Sequence, residues 1–245
     1  MMSELQERYQ AVLDNIEQAA KRAGRSAAAV TLVTVTKTWP AETLLAAYEV
    51  GIRQFGENRP EELAQKRPFL ESALGANSGV NWHFIGTVQS RKTDLVAQHA
   101  DLFHALDRLK IANRLSGRLR ENGRSLPVFL EVNVSGEGSK AGFPAMAWET
   151  DATQQADLRT VAETVNKLPG LNLCGLMTMA PWEAPETVIR QVFRRTRELA
   201  HWLETAVPGA DLSQLSMGMT DDYEIAIEEG ATHVRIGRAI FGERH

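Results

Sequence analysis

A lysine at residue 37, an arginine at residue 235 and two glycine-bearing segments near the C-terminus are the residues whose types and spacing could do chemistry together. Lys37 closes a β-branched run, Thr31–Lys37, in which Thr31, Val33, Val35 and Lys37 share one face by the two-residue period of a strand. An amine there is either a rim charge or a nucleophile toward a carbonyl. Desolvation and nearby cations lower an ammonium's pKa from about 10.4 and free its lone pair to attack an aldehyde.

The two glycine-bearing segments read Ser216-Met217-Gly218-Met219-Thr220-Asp221-Asp222 and Arg235-Ile236-Gly237-Arg238. Each carries a glycine where close backbone approach would be needed. Alone, either glycine is readable as a turn; together the loops suit an anion held by backbone N–H groups and a helix N-terminus. Ser216 adds a hydroxyl, and Asp221 or Asp222 suits a helix cap. Arg235 shares a strand face with His233 and so projects inward, where a permanent guanidinium needs a use. The pyridine nitrogen of pyridoxal 5′-phosphate (PLP) is one such use; an internal ion pair with Glu57 or another carboxylate is the other.

Smaller signals fall at other strand ends. Asn58 suits a turn or a hydrogen bond to a cofactor, His83 a core or a ligand-facing position, and Met177 and Met179 packing or ligand contacts. No His/Cys/Asp/Glu cluster has metal-ligand spacing, and no Ser/His/Asp arrangement stands out.

The elements that must position these residues alternate regularly. Leu5, Tyr9, Val12, Leu13, Ile16 and Ala20 predict an amphipathic helix before Gly24, outside the repeat. Strand and helix patterns then follow at Thr31–Lys37 and Ala41–Val50, Arg53–Phe55 and Pro60–Phe69, Asn81–Ile85 and Gln89–Gln98, and Leu102–Ala105 and Asp107–Arg120. They continue at Pro127–Val134 and Ala152–Leu168, Leu171–Met179 and Pro185–Ala206, Gln214–Met217 and Asp221–Glu229, and His233–Ile236 with a final turn. Eight such units imply parallel pairing and favour a TIM-type (β/α)8 barrel, although weak second and fourth strands leave an open sheet as the alternative. In such barrels the sites gather where strands end, and phosphate is frequently held after strands seven and eight, here the two glycine loops.

The 245 residues fit one domain, 1–245, with the Gly/Ser-rich stretches Leu74–Gly79 and Ser135–Gly142 as internal loops. Lys+Arg number 27 against Asp+Glu 31, and no basic run occurs, so nucleic acid is not an expected partner. Cys174 is the only cysteine and lies in an apolar run, which predicts a reduced, buried thiol and a cytoplasmic setting. No stretch reads as a signal peptide or a membrane span.

Thr34-Val35-Thr36-Lys37-Thr38, Phe55-Gly56-Glu57-Asn58, Trp82-His83-Phe84-Ile85-Gly86 with Gln89-Ser90, Ser216-Met217-Gly218-Met219 with Asp221-Asp222, and Arg235 to Gly242 resemble the PLP homeostasis protein family. The resemblance runs in order from Leu5 to Gly242 and implies a fold-type III barrel similar to that of alanine racemase. It implies a Schiff base between PLP and Lys37, phosphate contacts from Ser216, Gly218, Met219 and Gly237, and Arg235 at the pyridine nitrogen. Arg238 stands where many members have Ser or Thr. Its N–H can still donate, while its side chain either reaches the phosphate or turns to solvent. The Asn133–Gly142 loop is similar too, with Lys140 either near the cofactor or solvated.

The resemblance implies a PLP carrier or buffer without turnover, possessing apo PLP enzymes as recipients and existing as a monomer or weak dimer. An amino-acid racemase is the second reading; fold-type III racemases take a second base from an added C-terminal β domain and a partner chain, and the chain, ending at His245, leaves no room for that domain. A barrel enzyme acting on a phosphorylated metabolite through an aldolase-type Lys37 is the third.

Overall fold

The computed structural model describes residues 3–138 and 141–242. Lys140, with its two expected placements, lies outside the described residues. The chain opens with α1 (Glu4–Arg22), whose N-cap Ser3 accepts a hydrogen bond from the Gln6 N–H at 3.2 Å. Its apolar face, including Val12, Ile16 and Ala20, is buried.

The repeat follows as β1 (Thr31–Val35), α2 (Ala41–Glu49), β2 (Gln54–Glu57), α3 (Pro60–Leu74), β3 (Asn81–Phe84), α4 (Thr93–His99), β4 (Leu102–Leu106) and α5 (Leu109–Glu121). It continues with β5 (Leu126–Asn133), β6 (Phe143–Pro144), α6 (Ala152–Lys167), β7 (Leu171–Met177), α7 (Glu186–Ala206), β8 (Gln214–Ser216), α8 (Tyr223–Glu228), β9 (His233–Ile236) and α9 (Arg238–Phe241). All pairings are parallel. The order β4-β3-β2-β1-β9-β8-β7-β5 is closed by β4 against β5, so eight strands form a barrel and the open-sheet alternative falls. β6 is a two-residue spur on β5 that sequence periodicity does not show.

The expected boundaries hold to within a few residues, with two instructive differences. β1 stops at Val35, which places Lys37 in the turn that follows; the ladder nevertheless runs one step further, through Thr36 N–H to the Gly56 carbonyl at 2.9 Å. Gln89–Gln98 is a short 3-10 turn, Ser90–Lys92, followed by α4.

α1 packs on α8 and α9. Asn15 Nδ2 donates to the Tyr223 hydroxyl at 3.0 Å, and Arg22 pairs with Glu224 and Glu228. Inside the barrel, three histidines and a phenylalanine stand where branched aliphatics are usual. The ring of His104 lies 4.7 Å from Phe129 and 5.2 Å from His83, and that of Phe129 lies 5.3 Å from His233. His83 is therefore a core residue. Cys174 is buried, donates to the Val128 carbonyl at 3.3 Å, and burial pushes its thiol up to about 12. Among the described residues, no helix is long and apolar enough to cross a membrane.

Candidate functional site

The C-terminal ends of the strands surround a cavity of about 540 Å³, within the range of small-molecule sites. Lys37, Asn58, Met219, Arg235, Gly237 and Arg238 all line it; Ser216 and Gly218 do not.

Lys37 is half-buried beside Val35, and the residues on both sides of it are anchored. Lys66, on α3 and 5% exposed, donates from Nζ to the Thr36 carbonyl at 2.9 Å, to Glu57 Oε1 at 2.6 Å and to Glu62 Oε2 at 2.8 Å. Glu62 Oε2 in turn accepts from the Thr38 N–H at 2.8 Å. Thr38 has φ +69°, a left-handed conformation that strains a β-branched residue and is held by these neighbours. Glu57 thus pairs with Lys66, which excludes the alternative of a Glu57–Arg235 ion pair. Burial pushes the Glu57 carboxyl up, against the pull of Lys66.

Arg235 is 5% exposed and donates to Ser216 Oγ at 2.6 Å and to the Thr178 carbonyl at 3.1 Å. Burial lowers its guanidinium to about 10, with Asp222 and Glu131 opposing, so it stays charged near neutral pH. Two of its five N–H donors are used in these bonds, and the side chain forms part of the cavity wall.

The glycine loops divide their work differently from expectation. Ser216 is fully buried, and its hydroxyl is held between Arg235 and His104 Nδ1, 2.7 Å away, rather than facing the cavity. Gly218 has φ +95°, and a Cβ there would meet Ala226 Cβ at 2.6 Å, so its missing side chain serves the packing of α8. The Met219 N–H donates to Asp222 Oδ1 at 2.6 Å; Asp222 closes this turn instead of capping α8 with its side chain. At Gly237, on the cavity wall, a Cβ would lie 2.9 Å from the Val35 carbonyl oxygen, so its missing side chain admits the close approach of the chain after β9 to β1. Among the described residues, the N–H groups of Thr220, Gly237 and Arg238 find no protein acceptor. The Arg238 side chain pairs with Asp221 at 2.7 Å at the rim, near the exposed ring of Trp182.

Glu131 was not singled out from sequence. It lies on β5, 3% exposed, lines the cavity, and its Oε2 has no hydrogen-bond partner. Burial, and then the charge of Asp107, push it up to about 7, while Arg235 pulls the other way. The visible signal was one acid amid the apolar run Leu126–Val132. Asn58 Oδ1 is likewise buried without a partner. An amine, a fixed cation, donor N–H groups at one corner and two orphaned polar oxygens fit a small, phosphorylated heteroaromatic aldehyde such as PLP.

Residues 8–245 match the family model described as alanine racemase, N-terminal domain. A pyridoxal phosphate homeostasis protein of Pseudomonas aeruginosa is 43% identical over 243 residues, covering 99% of this chain and 97% of the relative. The chain belongs to the pyridoxal phosphate homeostasis protein family. The Escherichia coli K12 member is 42% identical over 99% of this chain and 98% of its own length. Among solved structures, PipY of Synechococcus elongatus PCC7942 with PLP bound is 32% identical with a TM-score of 0.77, over 93% of this chain and all of that one. Alanine racemase of Streptomyces coelicolor, 17% identical with a TM-score of 0.68 over 98% of this chain and 59% of that one, shares the barrel fold.

Proposed function

We propose that this member of the family binds PLP covalently through Lys37 and acts in intracellular PLP homeostasis as a carrier or buffer, without turning over a substrate. The observation that carries the reading is the meeting of Lys37, Arg235 and the Gly237–Arg238 turn in one cavity, in a chain 32% identical to PipY, whose structure has PLP bound. PLP supplies an aldehyde that a lysine amine captures reversibly. Lys37 provides that amine from a turn anchored on both sides. The N–H groups of Thr220, Gly237 and Arg238 suit the phosphate, whereas the Met219 N–H is already given to Asp222. Arg235 meets the ring nitrogen as a fixed cation and disfavours a proton there, which weakens the ring as an electron sink. Asn58 Oδ1 is available to a ring substituent carrying a proton. Ser216 and Gly218 contribute through Arg235 and through α8 packing.

The setting we propose is cytoplasmic, with apo PLP enzymes as recipients and the chain acting as a monomer or weak dimer. Incubation with PLP, borohydride reduction and peptide mapping test the site: the label is expected on Lys37 and absent in Lys37→Ala. Major labelling elsewhere overturns the assignment. A protein that stays colourless with added PLP would instead favour the aldolase-type barrel enzyme.

A further inference from the structure

A hydrogen-bonded series runs through the barrel from the cavity toward the opposite ends of the strands. Arg235 Nη1 donates to Ser216 Oγ at 2.6 Å, and Ser216 Oγ lies 2.7 Å from His104 Nδ1. His104 Nε2 lies 2.9 Å from His83 Nδ1, and His83 Nε2 lies 2.8 Å from Gln54 Oε1. Ser216 and His104 are fully buried, and His83 is 3% exposed.

The arginine sets the direction of every link. A guanidinium only donates, so the Ser216 oxygen accepts from it and the single Ser216 O–H is left for His104 Nδ1. His104 then carries its proton on Nε2 and donates to His83 Nδ1. His83 carries its own on Nε2 and donates to the Gln54 carbonyl oxygen. The reverse arrangement starts from the Gln54 amide and ends with His104 Nδ1–H pointing at Ser216, whose hydroxyl proton then has no acceptor. An orphaned donor at a buried site disfavours that arrangement by about tenfold or more.

We propose that Ser216, His104 and His83 are positioning residues for Arg235, forming a one-direction chain that holds the guanidinium charged and turned to the cavity. For ligand binding this rests on Arg235 being the ring-nitrogen partner; the chain itself does not. The histidines serve as dipoles rather than charges. Burial, then His233, drives His83 down to about 3, and burial drives His104 well below its ordinary value, with His83, His233 and Arg235 adding to the effect. His233, beside them, is lowered to about 4 by burial and Arg235, and its Nδ1 lies 3.0 Å from Thr232 Oγ1. Neutral rings let three histidines pack beneath a guanidinium without adding repulsion.

NMR of the ligand-free chain labelled with ¹⁵N in histidine and arginine tests the chain directly. His83 and His104 are expected to be neutral with the proton on Nε2, and Arg235 to show separate Nη resonances from restricted rotation. Ser216→Ala should mix the His104 tautomers and merge the Arg235 resonances; Ser216→Thr should restore both. Arg235→Met should also mix the tautomers, and serves if Ser216→Ala folds poorly. Nδ1–H tautomers in the wild type, merged Arg235 resonances in the wild type, or variant spectra identical to it would overturn the proposal. In a PLP titration, Ser216→Ala should bind roughly tenfold more weakly. Unchanged affinity would overturn the positioning of Arg235 for ligand, whereas a wild type that binds no PLP would overturn the cofactor reading and leave the NMR result to decide the chain.

Discussion

Lys66 Nζ donates to the carbonyl of Thr36, one residue before Lys37, and holds the Glu62 carboxylate that accepts from Thr38, one residue after it. One buried cation on α3 thus ties down both sides of the turn that presents Lys37. Lys66→Met leaves Glu57, with no solvent exposure, facing an apolar side chain. Removing one partner of a buried pair costs about 3–5 kcal/mol, which lowers Tm by roughly 6–20 °C in a chain of this size. Calorimetry checks this, and adding Glu57→Gln should recover part of the loss. A Tm within about 2 °C of wild type would show that the pair contributes little.

Glu131 makes stability depend on pH with a definite sign. Its carboxyl is at about 7 in the folded state against 4.5 ordinarily, so between those values the folded state keeps a proton that the unfolded state has released. The contribution is fully present below about 4.5 and is lost as pH rises through about 7; a shift of this size corresponds to about 3 kcal/mol. Urea unfolding from about pH 5 to pH 8 should show wild type losing stability relative to Glu131→Gln by up to that amount. Parallel curves would contradict the assignment.

Gly86 lies on the cavity wall, where a Cβ would sit 2.3 Å from the Asn58 carbonyl oxygen. Backbone must move to admit it, so Gly86→Ala should cost about 1–3 kcal/mol, displace Asn58 and weaken PLP binding. Gly117, inside α5 with open space around it, is the control: Gly117→Ala should stabilise by about 0.5–1 kcal/mol and leave binding unchanged. Chemical denaturation and PLP titration of both variants make the comparison. Equal behaviour of the two would refute it.

PLP-loaded protein should neither racemise nor transaminate amino acids over many turnovers, because, with Arg235 as the proposed partner of the ring nitrogen, the unprotonated ring is a weaker electron sink. The measurement is incubation with L-alanine in deuterated water, followed by assay of the D-isomer, α-proton exchange and keto acid. Sustained turnover that disappears in Lys37→Ala would put the racemase or transaminase reading first.

The barrel was legible because strands buried on both faces read as short apolar runs between longer helical patterns, and the two-residue period put Lys37 at the close of the first strand and Arg235 inside the last, facing inward, while leaving a structural charge open for both. Ser216 shows what such reasoning lacks. A hydroxyl in a glycine loop looks like an anion ligand, yet its partner His104 lies 112 residues away in sequence and claims it inside the barrel. Lys66 was equally hidden. A lysine in a helix with a weak apolar pattern reads as a solvated charge, and its three acceptors come from Thr36, Glu57 and Glu62, which only the folded barrel gathers.

The closure of β4 onto β5 has a consequence for partners. Among the described residues the eight-strand ring presents no unpaired edge, and β6, the spur on β5, is two residues long and contains Pro144, which has no N–H to donate. Strand addition by an extended peptide is therefore not a route by which another protein can attach to the ring. A protein that docks at the mouth meets side chains and loop backbone there, with Trp182 and the Arg238–Asp221 pair exposed beside Lys37's cavity.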